Sequence, residues 1–148
     1  MEYIISKMEE IHVRGISEIE KECFSSPWSE SGIRSELDNP NARFFVAEND
    51  GIVIGYAGMH TVCGECYIAN IAVRQAYRKN GIASALLMKL EETAKNENGE
   101  FITLEVRRSN ENAIRLYSRM GYSNVGVRKN FYSKPTEDAV LMTKTIEV

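Results

Sequence analysis

The stretch NIAVRQAYRKNGIASALLMKLEETAKNENG, residues 70–99, decides the fold of this 148-residue chain. It begins within a strand-like run, 67–73, that ends at Val73. Further along, apolar residues recur at the spacing of one helix face, at Ile82, Leu86, Leu90 and Ala94. Asn98 and Gly99 follow, and such residues commonly end a helix. The stretch therefore predicts a strand, a loop and a long helix.

A second strand is expected directly after this helix, at 101–106. A strand, a crossover helix and another strand predict a parallel βαβ unit, which is almost always right-handed. Ligands of such units gather at the loop that follows the first strand. The loop that ends at Gly81 is therefore the first candidate binding site.

The sequence on either side predicts a largely antiparallel arrangement. Asn49-Asp50-Gly51 suits a tight hairpin turn, and Ser29 and Asn110 suit helix N-caps. The other elements are expected to be strands at 3–8, 44–48, 52–62, 122–128 and 139–146 and helices at 11–24, 30–37 and directly after 110. The predicted fold class is α+β, with a mixed, mostly antiparallel sheet and a central βαβ crossover. Residues 1–148 are expected to form a single domain, because this length is typical of one.

Composition and charge exclude several classes of function. The formal net charge of -3 argues against general electrostatic binding of nucleic acid. Since no stretch approaches the ~20 apolar residues of a membrane span, no membrane association is expected. Three cysteines are too few for a disulfide framework and fit a reducing compartment. These observations predict a cytoplasmic protein.

The loop Arg78-Lys79-Asn80-Gly81-Ile82-Ala83 has the features of an anion site. It opens a helix, where free N–H groups and the positive end of the dipole meet. Gly81 and Ala83 carry little bulk, so a pyrophosphate could approach the backbone, and two basic side chains stand nearby. Neither a Walker A sequence nor a G-x-G-x-x-G is present. On the residues alone, a basic surface turn remains the alternative.

This loop resembles the (Gln/Arg)-x-x-Gly-x-(Gly/Ala) acyl-coenzyme A signature of the GNAT superfamily of N-acetyltransferases. The resemblance extends, in order, through 70–73, 104–107, 109–110, 113, 116–117 and 121–122. It is closest to the RimI-type ribosomal-protein alanine N-acetyltransferases, through Pro27-Trp28-Ser29, Arg128-x-Asn130-Phe131-Tyr132 and Glu137-Asp138-Ala139. The resemblance implies a GNAT fold, in which two parallel strands splay apart to admit the cofactor.

The same resemblance implies acetyl-CoA as the co-substrate. Backbone groups of Ile71, Ala72 and Val73 would pair with its pantetheine arm, and residues 79–84 would take its pyrophosphate. Asn110 would both cap its helix and contact the cofactor. The full set of expected cofactor-binding residues is Ile71, Ala72, Val73, Arg78, Lys79, Asn80, Gly81, Ile82, Ala83, Ser84 and Asn110.

Catalytic and acceptor residues are also implied by the resemblance. Glu105 would be the general base and Tyr117 the general acid of a direct transfer in a ternary complex. The acceptor would be a protein N-terminal α-amine, in particular the N-terminal alanine of a ribosomal protein. The residues expected to line the peptide end of the cleft are Trp28, Tyr132, Glu137 and Asp138.

Several alternatives remain open from the sequence. Tyr117 lies on the apolar stripe of its helix, so it could be a packing residue alone. The acceptor could be a lysine or a small amine, and a non-catalytic acyl-CoA sensor would need the same cofactor loop.

Cys63-Gly64-Glu65-Cys66 has the spacing of half a zinc knuckle, but a structural zinc site needs four ligands. Gly64-Glu65 fits a type II′ hairpin turn instead, which would place the two cysteines opposite each other. No bound metal is therefore expected, and a zinc or redox module remains the less favoured alternative.

Overall fold

The computed structural model describes residues 1–146 and shows an α+β arrangement of seven strands and four α-helices in that range. The strands are β1 (Ile4–Lys7), β2 (Ala42–Asn49), β3 (Ile52–Val62), β4 (Glu65–Val73), β5 (Phe101–Arg107), β6 (Ser123–Tyr132) and β7 (Glu137–Thr145). The helices are α1 (Val13–Cys23), α2 (Glu30–Ser35), α3 (Ile82–Asn96) and α4 (Glu111–Arg119). Short 3₁₀ turns precede α1, follow α2 and follow β4.

Local sequence signals account for most of these boundaries. The Ser29 hydroxyl accepts a hydrogen bond from Gly32 N at 3.1 Å, and the Asn110 side chain accepts one from Ala113 N at 3.1 Å. Both predicted N-caps are therefore confirmed, because each side chain satisfies an N–H that the first turn leaves free. The strand predicted at 122–128 is longer than expected and continues to Tyr132.

The seven strands form one sheet in the order β1-β2-β3-β4-β5-β7-β6. Neighbours are antiparallel except for β4 and β5, which are parallel. In the described chain these two strands pair only at Glu65–Phe101, Cys66–Ile102 and Tyr67–Thr103. β4 then stays with β3 as far as Val73, and β5 stays with β7 as far as Arg107. The predicted mixed sheet with splayed parallel strands is confirmed.

Two apolar clusters cover the sheet. Helix α3 contributes Leu86 and Leu90 to a cluster that includes Leu104 and Val106 of β5. Helix α1 contributes Ile16 and Ile19 to a second cluster, together with Val46 and Tyr56. Burial alternates along β5, so Leu104 and Val106 are buried while Glu105 and Arg107 point to the other face. This alternation decides where the candidate base lies.

The hairpin between β3 and β4 corrects one sequence prediction. Val62 pairs with Glu65, so the two turn residues are Cys63 and Gly64 rather than Gly64 and Glu65. Both have positive φ, 50° and 84°, as a type I′ turn requires. Cys63 is therefore exposed in the turn, whereas Cys66 lies in the strand and is buried opposite Thr61. The two cysteines do not face each other.

None of the helices in residues 1–146 has the length and apolar character needed to cross a membrane.

Candidate active site

A cleft of about 560 Å³ opens beside the end of β4, where β4 and β5 have separated. Its walls come from β4, from the loop before α3, from the first turn of α3 and from α4. It brings together most of the residues expected to bind the cofactor, and one expected catalytic residue: Ile71, Ala72, Val73, Arg78, Lys79, Gly81, Ile82, Ala83, Ser84, Asn110 and Tyr117. Asn80 lies in the same loop but does not line the cleft.

The start of α3 presents unoccupied backbone donors to this cleft. Gly81 is the N-cap residue, with φ of 76°, and has no side chain to satisfy the first-turn N–H groups. A Cβ placed on Gly81 would meet no atom of the described chain within 4 Å, so the space above it is open. Lys79, in the same loop, is exposed. A helix N-terminus of this kind fits the pyrophosphate of a nucleotide-containing cofactor.

The Arg78 and Asn80 side chains turn back onto the protein. Arg78 Nε donates to the Val73 carbonyl at 3.0 Å, and its Nη2 lies 3.4 Å from the Cys23 sulfur. Asn80 Nδ2 donates to the carbonyl oxygens of Tyr77 and Arg78, at 3.1 and 3.2 Å. Both side chains therefore fix the shape of the loop around Gly81.

Tyr117 is buried on α4 and lines the cleft. Its ring contacts that of Tyr122, with centroids 6.0 Å apart. Burial, with a smaller effect from Tyr132, raises the pKa of Tyr117 to about 12. The hydroxyl therefore stays protonated at neutral pH and can act as a proton donor.

Glu105 lies on β5 outside the lining of this cleft. Its side chain is only 8% exposed, and Arg128 Nε lies 3.1 Å from Oε1. The approach does not have hydrogen-bond geometry, so within residues 1–146 Oε1 is buried with no hydrogen-bond partner. Burial raises the pKa of Glu105, and the charge of Arg128 and its close contact with the carboxylate oppose that rise. A largely buried carboxylate with a raised pKa is suited to accept a proton.

The acceptor end, defined here as Glu105, Arg107, Arg128, Tyr132 and Glu137, lies where β5, β6 and β7 meet. The Arg107 guanidinium stacks over the Tyr132 ring at 4.5 Å and contacts Glu137 Oε1 at 3.2 Å. It also donates to the carbonyl oxygens of Ser133 and Pro135, at 2.9 and 3.0 Å. Arg107 therefore holds the loop between β6 and β7 against the end of β5.

Charges at the acceptor end influence one another. Burial, and then the Glu105 charge, raises the pKa of Tyr132 to about 12. Hydrogen bonding to Ser109, and then to Arg107, lowers the pKa of Glu137, whose Oε2 accepts from Ser109 N at 2.6 Å. The Glu137 carboxylate is thus ionised and already engaged by the protein.

Trp28 and Asp138, the other residues expected at the peptide end, make mainly structural contacts here. The Trp28 ring packs near Phe44, with centroids 6.2 Å apart. Asp138 Oδ1 accepts from Asn130 N at 2.9 Å, and Arg108 lies 3.5 Å from its Oδ2. Asp138 thereby fixes Asn130, a residue with positive φ in β6.

Three residues of the site were given no role in it by the sequence analysis. Arg107 and Arg128 are two of them, and Glu20 on α1 is the third. Glu20 is 1% exposed and accepts hydrogen bonds from Trp28 N and Asn70 Nδ2, both at 2.9 Å, and from the Tyr56 hydroxyl. It joins the segment carrying Trp28 to β4. Its position on the apolar stripe of α1 was an available signal, since a glutamate there is buried and needs partners.

A larger groove, of about 760 Å³, lies between α3 and the β6–β7 strands. It contains none of the expected site residues, and its charged groups include Lys144 and Glu91, which pair at 3.0 Å. No cluster of three or more potential metal ligands occurs in residues 1–146.

Comparisons with known proteins agree with this geometry. Residues 13–122 match the model of the Acetyltransferase (GNAT) family. The [ribosomal protein bS18]-alanine N-acetyltransferase of Haemophilus influenzae is 35% identical over 142 residues, covering 94% of this chain and 96% of that protein.

Two solved structures share the fold. The crystal structure of the ribosomal-protein-S18-alanine N-acetyltransferase from Escherichia coli has a TM-score of 0.91 and 30% identity, covering 99% of this chain and 96% of that one. The PaiA N-acetyltransferase of Thermoplasma acidophilum, solved with coenzyme A, has a TM-score of 0.81 at 17% identity, covering 98% and 99%. The splayed strands, the helix start and the family match together show that this chain belongs to the GNAT family of acetyltransferases.

Proposed function

We propose that the chain transfers the acetyl group of acetyl-CoA to the α-amine of a protein N-terminus, with the N-terminal alanine of a ribosomal protein as its substrate. GNAT acetyltransferases use acetyl-CoA, and relatives that match almost the whole chain are named for the ribosomal acceptor. The observation that carries the proposal is the largely buried Glu105 carboxylate, whose pKa burial raises and which pairs with Arg128 at 3.1 Å. That group suits a reaction in which a proton must leave an amine.

The cleft residues fit acetyl-CoA as follows. The N–H groups at the start of α3, from Ile82 to Ser84, would hold the pyrophosphate, with Lys79 adding positive charge. The inner edge of β4, at 71–73, would pair with the pantetheine arm, since β5 has moved away from that edge. Arg78 and Asn80 would contribute by keeping the loop in shape, as their hydrogen bonds to the backbone suggest.

Glu105 would act as the general base. It would accept a proton from the amine, directly or through a water, as the amine nitrogen bonds to the thioester carbon. An N-terminal α-amine has a pKa of about 7.7–8.0 against about 10.4 for lysine, so deprotonating lysine at neutral pH costs roughly 3–4 kcal/mol more. A carboxylate base therefore suits an α-amine acceptor better than a lysine.

Tyr117 would act as the general acid. When the carbon–sulfur bond breaks, the leaving thiolate needs a proton, and Tyr117 in the cleft keeps its own at neutral pH. Asn110 would help by capping α4, which positions Tyr117, and by contacting the cofactor from the cleft wall.

The acceptor peptide would lie across the acceptor end and Trp28. Tyr132 offers a ring and a hydroxyl beside Glu105, and Trp28 offers an apolar surface. Glu137 and Asp138 would act mainly by fixing the loop and the strand around that position, because both carboxylates already accept hydrogen bonds from the protein. We also propose a cytoplasmic enzyme that does not bind nucleic acid directly, in keeping with its net charge of -3.

The decisive experiment compares two peptide sets with acetyl-CoA. One set carries ribosomal N-terminal sequences that begin with a free alanine, and the other has the same sequences with a blocked N-terminus and a free lysine. Turnover with the first set alone supports the proposal. Turnover with the second set would favour a lysine acceptor, and cofactor binding without turnover on either would favour a small amine or a sensor.

A further inference from the structure

The ion pair between Glu105 and Arg128 joins a buried group to an exposed one. The Glu105 side chain is 8% exposed, whereas that of Arg128 is 52% exposed, and Nε lies 3.1 Å from Oε1. An ionised carboxylate is costly to bury unless a positive charge compensates it. Arg128 supplies that charge from the rim of the site.

Glu105 Oε1 nevertheless lacks a hydrogen-bond donor within residues 1–146. Buried carboxylate oxygens in native proteins are rarely left in this state. Glu20 shows the contrast, because it is even more deeply buried but its oxygens accept bonds from Trp28, Tyr56 and Asn70. The protein can therefore surround a buried carboxylate with several donors, and at Glu105 it places the Arg128 guanidinium beside the carboxylate instead.

The other charged and titratable groups near Glu105 cannot replace Arg128. Arg107 is engaged by Glu137, two carbonyl oxygens and the Tyr132 ring. Leu141, the register partner of Glu105 on β7, is apolar. Arg128 on β6 acts on Glu105 directly. Tyr132, also on β6, links Glu105 to Arg107 on β5, to Glu137 on β7 and to Tyr117 on α4.

We propose that Arg128 is a positioning residue for the transfer: through its ion pair at 3.1 Å it keeps the Glu105 carboxylate charged and holds it in place until the acceptor amine arrives. The inference rests on the proposed role of Glu105 as the base. The proton passes from the amine nitrogen to the Glu105 carboxylate, directly or through a water, and Arg128 exchanges no proton. Arg128 acts only through Glu105.

The test is the pH dependence of kcat/KM for an alanine-initiated peptide, measured for wild type, Arg128→Gln and Arg128→Lys. Without the positive charge the pKa of Glu105 rises further, so a higher pH is needed to ionise it. Arg128→Gln should move the acidic limb up by about 1 pH unit, with about a tenfold loss below that limb and little loss above it. Arg128→Lys should keep most of the wild-type profile. The amine of the peptide titrates equally in every case.

Lys129→Gln is the matched control, because Lys129 is the exposed neighbour on the same strand and its loss changes the net charge equally. It should leave the profile unchanged. The inference is overturned if Arg128→Gln has the wild-type profile, if Lys129→Gln shifts it as much, or if Arg128→Lys behaves like Arg128→Gln. Circular dichroism on each variant separates these outcomes from loss of folding.

Glu105→Gln separates failure of this inference from failure of the proposed function. If Glu105→Gln retains wild-type turnover, Glu105 is not the base and the proposed mechanism fails together with the role of Arg128. If Glu105→Gln is inactive but Arg128→Gln keeps the wild-type profile, the role of Arg128 alone is rejected.

Discussion

In the cleft, called here the cofactor end, the groups offered to a ligand belong to the backbone, whereas at the acceptor end, outside the lining of the cleft, they are charged side chains. The loop before α3 presents N–H groups around Gly81, and its side chains turn back to hold it. Arg107, Glu137 and Tyr132 at the other end contact one another across three strands. The cofactor end is therefore built from local sequence and the acceptor end from tertiary contacts. Substitutions at the cofactor end should therefore affect acetyl-CoA binding, and those at the acceptor end should affect catalysis or peptide binding.

Glu105→Gln should have the largest effect and should separate catalysis at the acceptor end from binding at the cofactor end. Glutamine keeps the size of the side chain but cannot take a proton, so kcat/KM should fall about 10²–10⁴-fold. Acetyl-CoA affinity, measured by calorimetry, should not change. Because the substitution removes a buried charge, the melting temperature should not fall.

Glu91→Gln is the matched control for that substitution. Glu91 on α3 bonds the Tyr122 hydroxyl at 2.9 Å and Lys144 at 3.0 Å, outside the cleft. It should lose stability and keep activity. Lost activity in Glu91→Gln, together with lost stability and full activity in Glu105→Gln, would contradict the roles assigned to the two glutamates.

Tyr117→Phe should come next, with a fall in kcat of about 10². Phenylalanine preserves the packing on α4 but removes the hydroxyl that would protonate the thiolate. Steady-state kinetics at saturating peptide would measure the loss. Tyr122→Phe, which removes a buried hydroxyl bonded to Glu91, should cost about 1 kcal/mol of stability and leave kcat intact. An unchanged kcat in Tyr117→Phe would make Tyr117 a packing residue.

Gly81→Ala should weaken the cofactor end alone. A Cβ there enters open space that a pyrophosphate would occupy, so the KM for acetyl-CoA should rise about tenfold, a change of about 1.4 kcal/mol. Gly51→Ala is the control, since Gly51 has φ of 77° in a hairpin turn and is equally open within the described chain. Each should lose about 1 kcal/mol of stability through its left-handed backbone. Equal KM values for acetyl-CoA in Gly81→Ala and Gly51→Ala would argue against a pyrophosphate site at Gly81.

Arg107→Lys should give the smallest effect and should act on the acceptor end alone. Lysine keeps the charge but loses the fork that reaches the carbonyl oxygens of Ser133 and Pro135 and stacks on Tyr132. The peptide KM should rise about fivefold, equivalent to roughly 1 kcal/mol, without a change for acetyl-CoA. Arg108→Lys, at the exposed neighbour, should have no effect. A rise in the KM for acetyl-CoA would mean that the two ends are coupled.

Most of the fold could be predicted from the sequence because its signals are local. Ser29 and Asn110 lie within three residues of the N–H groups they cap, and the spacing from Ile82 to Ala94 defines the buried face of α3. The turn at Cys63 was placed one residue late, because the glycine fits either turn type and the pairing of β3 with β4 decides between them.

The acceptor end could not be predicted in the same way. Arg107 and Glu137 are 30 residues apart. The same holds for the network around Trp28, where Glu20 and Asn70 are 50 residues apart. Arg128 and Glu105 come from strands separated by β7. Many carboxylates and basic residues in one sequence could pair with each other, and only the register of the strands selects among them.

The separation of β4 from β5 also affects the resistance of the protein to proteolysis. Beyond Tyr67 and Thr103, two strand edges face each other inside the sheet, so the described chain leaves a gap in its own ladder. Amides on those edges should exchange with deuterium readily, and a bound donor should slow them. A ligand held only by the folded state stabilises it by RT ln(1 + [L]/Kd). If acetyl-CoA binds in this opening as proposed, resistance to proteolysis should rise with its concentration.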